Sequence, residues 1–227
     1  MARIVFDLDG TLLDSAPDIC LAGNLALEGT GAAPMEVAEA REYVGSGAGV
    51  FVERMRIARG LPERTHAGLL ARFLDAYEGA VHRTEVYPGV VAALGALRDA
   101  GHALGICTNK PIAPTRAVLA HFELTGFFAA MYGGDSLPVR KPDPAPLHAA
   151  VQALGEGPAL FVGDSEVDAQ TGDRAGVPTL IFTPGYRKAP LDALPHAGAF
   201  DHWYEMPGLA EAVLGCVGAG NGNRTRN

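Results

Sequence analysis

Long apolar runs are missing from this chain. None approaches the ~18 consecutive residues that a membrane-spanning helix needs, and the mean hydropathy is only +0.12. Cysteine is scarce as well: Cys20, Cys107 and Cys216 are odd in number, far apart and free of any C-x-x-C pair. That excludes a disulfide scaffold, argues against a structural zinc site and suits a reducing cytoplasm. Basic charge is in deficit, with 18 Lys and Arg against 26 Asp and Glu and a formal net charge of -8. Neutralising a phosphate backbone needs clustered cations, so no nucleic-acid partner is expected. Met1-Ala2-Arg3 leads straight into Ile4-Val5-Phe6, with no apolar stretch or small-residue cleavage site. The expectation is a cytoplasmic protein with no membrane attachment.

What is present is 227 residues, 48% hydrophobic and 19% charged. That suffices for one domain, or a compact domain carrying a smaller insert, with a real core. Four short apolar runs rich in β-branched and aromatic residues predict buried strands at Ile4–Phe6, Leu104–Cys107, Leu160–Val162 and Leu180–Phe182, with a weaker one at Met131-Tyr132. Between them lie helical patterns. Val90, Leu94 and Leu97 fall at i, i+4, i+7 behind Pro88 and before Gly101, and Leu147, Val151 and Leu154 repeat the spacing. Strand alternating with helix predicts parallel strands joined by right-handed crossovers: an α/β fold with a doubly wound parallel sheet.

One interval breaks the alternation. From about Ser15 to Glu85 the pattern is helical, most clearly over Glu63 to His82, where Leu69, Leu70, Phe73, Leu74, Tyr77 and Val81 make an apolar side. This predicts an inserted helical domain at 15–85, hinged near Asp14–Pro17 and Glu85–Gly89, beside an α/β core at 1–14 and 86–216. Residues 217–227 are Gly- and Asn-rich and are expected to form a disordered tail.

The first strand runs into Phe6-Asp7-Leu8-Asp9-Gly10-Thr11. Period two along an extended chain turns Asp7 and Asp9 to the same side. Two carboxylates that close are costly unless a cation joins them or one is protonated. Gly10 permits a sharp turn with backbone N–H groups facing a ligand. A polar turn would explain a single Asp pair; Asp-x-Asp-Gly-Thr after an apolar strand is a much narrower pattern.

Three further segments follow strands or precede helices. Thr108-Asn109-Lys110-Pro111 carries a hydroxyl and an amide, as an anion site or an ordinary N-cap would. Arg140-Lys141-Pro142-Asp143-Pro144 sets basic charge before a helix, or is a solvated Pro-rich loop. Gly163-Asp164-Ser165, with Asp168 one helical turn on, is an acidic site or a cap with a dipole-complementing Asp. In an open parallel sheet the C-terminal strand ends share one edge, and ligands bind in the crevice there. Asp7, Asp9, Thr108 and Asp164 would meet at that crevice, with Asp168 and Lys141 close by. Three or four carboxylates at one point call for a hard divalent cation, and all-oxygen ligation points to Mg2+. A hydroxyl, an amide, a Lys and turn N–H groups beside it describe a phosphoryl cradle.

Asp7-Leu8-Asp9-Gly10-Thr11, Thr108, Lys141 and Gly163-Asp164-Ser165 with Asp168 resemble, in order and from end to end of the chain, the four motifs of the haloacid dehalogenase superfamily of phosphatases. The helical insert resembles that superfamily's α-helical cap. More narrowly, Tyr43-Val44-Gly45-Ser46-Gly47-Ala48, Cys107-Thr108-Asn109-Lys110-Pro111 and Gly133-Gly134-Asp135 are similar to its bacterial phosphoglycolate phosphatase branch. The resemblance implies a Mg2+-dependent phosphomonoester hydrolase that converts a small phosphorylated substrate, 2-phosphoglycolate, to glycolate through an aspartyl-phosphate. It implies Asp7 as nucleophile and Asp9 as acid, then base. Asp7 and Asp164 would bind metal by side chain and Asp9 by its backbone carbonyl. Asp168 would hold the metal's water shell or orient Lys141. Thr108, Asn109 and Lys141 would bind the transferring phosphoryl oxygens. Asp9 also separates the chain from the dehalogenating members, which lack an acid there.

Substrate choice must then come from the insert. Gly45-Ser46-Gly47-Ala48-Gly49 is not G-x-G-x-x-G and follows no strand, which rejects dinucleotide binding. It is a flexible turn or an anion nest opening a helix, in which Gly45, Ser46 and Gly47 would hold the substrate carboxylate. Gly185-Tyr186-Arg187-Lys188 is a solvated loop or lends positive charge to the crevice. The rival within the fold is a phosphatase or phosphomutase acting on a sugar phosphate, nucleotide or pyrophosphate. The rival outside it is a non-catalytic phospho-ligand module, which would need a missing catalytic residue.

Overall fold

The computed structural model describes residues 1–220. The chain runs β1 (Arg3–Phe6), β2 (Leu13–Asp14), α1 (Ala16–Leu27), α2 (Val37–Tyr43), α3 (Ala48–Ala58), α4 (His66–Glu78) and β3 (Glu85–Val86). It continues through α5 (Val90–Asp99), β4 (Ala103–Cys107), α6 (Ile112–His121), β5 (Ala130–Tyr132), α7 (Ala145–Ala153), β6 (Ala159–Gly163), α8 (Glu166–Ala175), β7 (Thr179–Phe182), β8 (Gly198–Phe200) and α9 (Met206–Gly220).

Six strands form one parallel sheet in the order β5-β4-β1-β6-β7-β8. The alternation of side chains along β1 explains its central place. Ile4 and Phe6 enter one apolar cluster with Leu104, Ile106, Leu160 and Val162, while Val5 enters the cluster on the other face with Cys107, Phe161 and Leu147. Both faces are covered, the first by α5, α6 and α9 and the second by α7. This is the doubly wound α/β core expected from the sequence. The strand order reverses at β1: β4 and β5 lie to one side, β6, β7 and β8 to the other. Such a switch point opens a crevice at the carboxyl ends of the strands.

Helices α1 to α4 pack around their own apolar cluster, which includes Ile19, Phe51, Met55, Leu69, Phe73 and Tyr77. The chain leaves the core through β2 and returns through β3. These two strands pair antiparallel, Leu13 with Val86 and Asp14 with Glu85, so the two connections run side by side. The sequence signals no strand at either point, because two residues carry no alternation.

The structure differs from the expectations in three other places. The helix expected over 63–82 begins as a 3-10 turn at Glu63–Thr65 and stops at Glu78 before Gly79. Its stripe is narrower than expected, because Leu69, Phe73 and Tyr77 are buried whereas Leu74, one residue off the i, i+4 row, is exposed. The edge strand β8 carries no expectation at all, having three residues of which one is Gly. Finally, α9 continues to Gly220, so the first four residues of the expected tail are helical. Residues 221–227 lie outside the described residues.

Candidate active site

Every strand end next to the switch point contributes a polar group. β1 hands over to Asp7, whose N–H bonds the Val162 carbonyl at 2.8 Å and carries the strand pairing one residue further. β4 delivers Thr108, and β6 delivers Asp164. Gly10, at φ +85°, turns the chain back so that its N–H reaches the Leu13 carbonyl at 2.8 Å. A Cβ there would stand 2.5 Å from Asp164 Oδ2, so the turn approaches that carboxylate as only glycine can.

Asp7, Asp164 and Asp168 come together, each buried, with one carboxylate oxygen of each within 4.8 Å of the others. Lys141, 2% exposed, places Nζ 2.6 Å from Asp168 Oδ1 and 2.9 Å from Asp7 Oδ1. Asp168 is held from both sides. Its Oδ2 accepts from Ser165 Oγ at 2.6 Å and from the Asp164 and Ser165 N–H groups, completing a capping box at the start of α8. Its Oδ1 thus meets Lys141 Nζ directly while Oδ2 is taken up by the cap. Asp164 accepts from Thr11 Oγ1 at 2.7 Å and from the Tyr186 N–H at 2.6 Å.

Charge in this cluster is out of balance. Burial pushes Asp7 up to about 6, with Asp168 and Asp9 adding to the rise and Lys141 opposing it. Asp164 is held well above the usual carboxylate range by burial, then by Asp168 and Asp7. Burial works against the charge on Lys141, but Asp168 and Asp7 more than reverse this and raise it above an ordinary lysine. Three carboxylates facing one ammonium are an all-oxygen set short of positive charge, and their chemistry fits a hard divalent cation.

Asp9 does not join them. Its side chain lies outside the three-carboxylate cluster, yet it is near enough to Asp7 to add to that residue's upward shift. Asp9 Oδ1 turns toward the insert, accepting from Ser15 Oγ at 2.6 Å and from Lys110 Nζ at 3.0 Å. Both Asp7 and Asp9 still line a cavity of about 40 Å³ between the core and α1, α3 and α4.

Thr108 and Asn109 line the same cavity. Asn109 Nδ2 donates to the Gly45 carbonyl and to the Lys141 carbonyl, both at 2.9 Å. Both amide hydrogens are therefore spent on main chain, and the side chain bridges insert to core. Gly45 and Gly47, at φ +112° and +89°, also line the cavity, whereas Ser46 does not. Gly133 and Gly134 pack behind the segment from Asn109 to Ile112: a Cβ on Gly134 would meet the Asn109 carbonyl at 2.3 Å. Asp135 Oδ1 accepts the Ile112 N–H at 2.8 Å at the start of α6.

Three residues near the site escape the sequence reading. Lys110 reaches Asp9 and the Tyr77 hydroxyl, and lies over the Tyr77 ring at 4.2 Å. Tyr77 reads in sequence as one more apolar position of α4. Tyr186 is no solvated loop residue: its N–H holds Asp164, its hydroxyl donates to Asp14 Oδ1 at 2.7 Å, and that hydroxyl accepts the Ala16 N–H at 3.0 Å. The only sequence signal was the position of Lys110 and Tyr186 just beyond strands that end at the crevice.

A switch-point crevice with an aspartate directly after β1, a carboxylate pair after β6 and a lysine between them defines an acid-rich hydrolase site on a doubly wound α/β core. The model of the haloacid dehalogenase-like hydrolases matches residues 4–182, and the chain belongs to that family. A curated relative from Cereibacter sphaeroides, named phosphoglycolate phosphatase, is 49% identical over 217 residues, covering 94% of this chain and 100% of the relative. One of the same name from Rhodobacter capsulatus is 44% identical, covering 92% and 96%. A crystal structure from Haemophilus somnus, described as a predicted phosphoglycolate phosphatase, superposes with a TM-score of 0.86 at 31% identity, covering 92% of this chain and 97% of its own. Among the described residues no helix is long and apolar enough to cross a membrane.

Proposed function

We propose that this chain hydrolyses 2-phosphoglycolate to glycolate and phosphate, with 1–14 and 86–216 as catalytic core, 15–85 as cap, and the cytoplasm as its place of work. The observation that carries the reading is Asp7: a buried carboxylate at the switch point, held 2.9 Å from Lys141 and within the Asp164–Asp168 cluster. The names of the relatives supply the substrate.

An oxygen of Asp7 attacks the phosphorus and forms an aspartyl-phosphate as the bond to the ester oxygen breaks. Asp9 gives its proton to the departing alkoxide. It then takes one from the water that attacks the aspartyl-phosphate, so phosphate leaves and Asp7 is restored. Lys141, fixed by Asp168, steadies the charge on Asp7 and on the transferring oxygens. The Thr108 hydroxyl and the main-chain N–H of Asn109 bind those oxygens, because the Asn109 amide is committed elsewhere. Asp7 and Asp164 by side chain, Asp9 by its carbonyl and Asp168 within the cluster would hold Mg2+. Bound there, the ion supplies the positive charge that the carboxylates and the phosphoryl group lack. Gly45 and Gly47, which line the cavity, form the cap's share of the substrate site. The small cavity favours a short leaving group, since a sugar or nucleoside would require the insert to swing away.

The test is phosphate release from 2-phosphoglycolate, glucose-1-phosphate, a nucleoside monophosphate and pyrophosphate, with and without EDTA, beside Asp7→Asn. Phosphoglycolate should be preferred and both treatments should abolish turnover. Activity that survives the two together would sink the mechanism, and a preference for a larger ester would sink the substrate.

A further inference from the structure

We propose that Lys110 is the specificity-determining residue for this reaction: its ammonium receives the carboxylate of the leaving group. This rests on the phosphoglycolate reading above. Two lysine ammonium groups are buried near the site. Lys141 is engaged by Asp7 and Asp168 and does not line the cavity. Lys110, 5% exposed, does, and among the described residues it is the one cation in the cavity wall.

Its position selects the leaving group over the phosphoryl end. Lys110 Nζ lies 3.0 Å from Oδ1 of Asp9, the residue assigned to protonate the ester oxygen. In 2-phosphoglycolate one methylene separates that oxygen from the carboxylate, so a substrate whose ester oxygen meets Asp9 brings its carboxylate to the neighbourhood of Lys110. The nearby wall is apolar, with Ile19, Val44, Phe51 and Phe73. A carboxylate in such surroundings binds poorly unless a cation meets it.

A structural role explains Lys110 badly. An ammonium buried beside one carboxylate and one hydroxyl is costly, and an apolar side chain would fill the space at less expense. Asp9 and the Tyr77 hydroxyl are its two hydrogen-bond partners among the described residues, against three N–H donors. Tyr77 holds the ammonium from the insert, through its hydroxyl and through the ring face 4.2 Å away. The cap would thus contribute to recognition by aiming a core lysine, beside whatever its 45–47 loop supplies.

The test compares 2-phosphoglycolate with 2-hydroxyethyl phosphate, in which a neutral hydroxymethyl group replaces the carboxylate. Wild-type kcat/KM should favour phosphoglycolate by about 100-fold or more, the usual cost of leaving one partner of a buried charge pair unmatched. Lys110→Met should bring that ratio close to one and weaken competitive inhibition by glycolate, while Lys110→Arg retains part of both. Thermal melts of each variant report folding. A wild-type ratio near one overturns the assignment without any variant, which keeps it testable should Lys110→Met not fold. Equal losses on both esters also overturn it, since Lys110 would then act through Asp9 or the fold. A wild type that ignores both esters and cleaves a sugar phosphate overturns the phosphoglycolate reading and the carboxylate assignment with it.

Discussion

Replacing Asp7 with asparagine should abolish activity and yet stabilise the metal-free protein. Folding carries Asp7 from an ordinary carboxylate value of 3.8 to about 6, chiefly through burial. The unfolded chain therefore releases this proton first as pH rises, and the folded chain binds more protons between the two values. Stability falls across that window, is undiminished below it, and has lost its full share above about pH 6. A shift of that size corresponds to about 3 kcal/mol at pH 7, an upper figure because Lys141 gives up part of its ion pairing when Asp7 goes. Asparagine cannot ionise, and its side-chain oxygen can still accept from Lys141. In EDTA at pH 7 the variant should gain up to about 3 kcal/mol by urea unfolding, or about 2–4 °C of Tm per kcal/mol. Its advantage should vanish near pH 4. Excess Mg2+ should reverse the order, because an ion that binds only the folded wild type stabilises it by mass action. A metal-free Asp7→Asn protein less stable than wild type at pH 7 would refute the reasoning, showing that Lys141 already balances the cluster.

Three further substitutions probe neighbouring links. Asp168→Asn removes the charge that fixes Lys141 Nζ at 2.6 Å, and kcat for phosphoglycolate should fall about 10- to 100-fold with little change in KM, as steady-state kinetics will show. Tyr186→Phe deletes the hydroxyl that bonds Asp14 and the Ala16 N–H; chemical denaturation should register a loss of about 1–3 kcal/mol. Gly47→Val forces a branched side chain to φ +89° with its Cβ 2.9 Å from Arg140 Nη1. Its kcat/KM for phosphoglycolate should drop at least about tenfold with the strain of roughly 1–3 kcal/mol, and unaltered kinetics would remove the 45–47 loop from substrate binding.

The parts legible in the sequence were those that depend on residue type at a strand end. Asp7, Thr108 and Asp164 follow apolar runs short enough to be strands, and parallel strands must present those ends at one edge. The insert was visible because seventy residues of helical spacing interrupt that alternation. What stayed hidden depends on contacts between distant segments. The Asn109 amide is claimed by Gly45, 64 residues away, and Tyr186 reaches Asp14 across 172. No local pattern distinguishes a loop tyrosine or lysine that finds such a partner from one that meets water. Alternation turns Asp7 and Asp9 to one cavity, but it carries no sign of Ser15 and Lys110, the distant partners that hold Asp9 Oδ1.

The contacts that tie the insert to the core near the cavity spring from residues at or beside the site. Asn109 joins the Gly45 carbonyl to the Lys141 carbonyl, Lys110 joins Tyr77 to Asp9, and Tyr186 joins Ala16 and Asp14 to Asp164. Withdrawing the insert would therefore cost more than a lid's weight of apolar contact. It would leave one hydrogen of the Asn109 side-chain amide and the Gly45 carbonyl unpaired, and the Lys110 ammonium without the Tyr77 hydroxyl beside Asp9. Polar groups left without partners are expensive only while water is kept out, so an open insert tolerates their loss by hydration whereas a closed one requires the full set. On the proposed function, closure of the insert would bring the Gly45 carbonyl to Asn109 and the Tyr77 hydroxyl to Lys110 in the same step that excludes competing water.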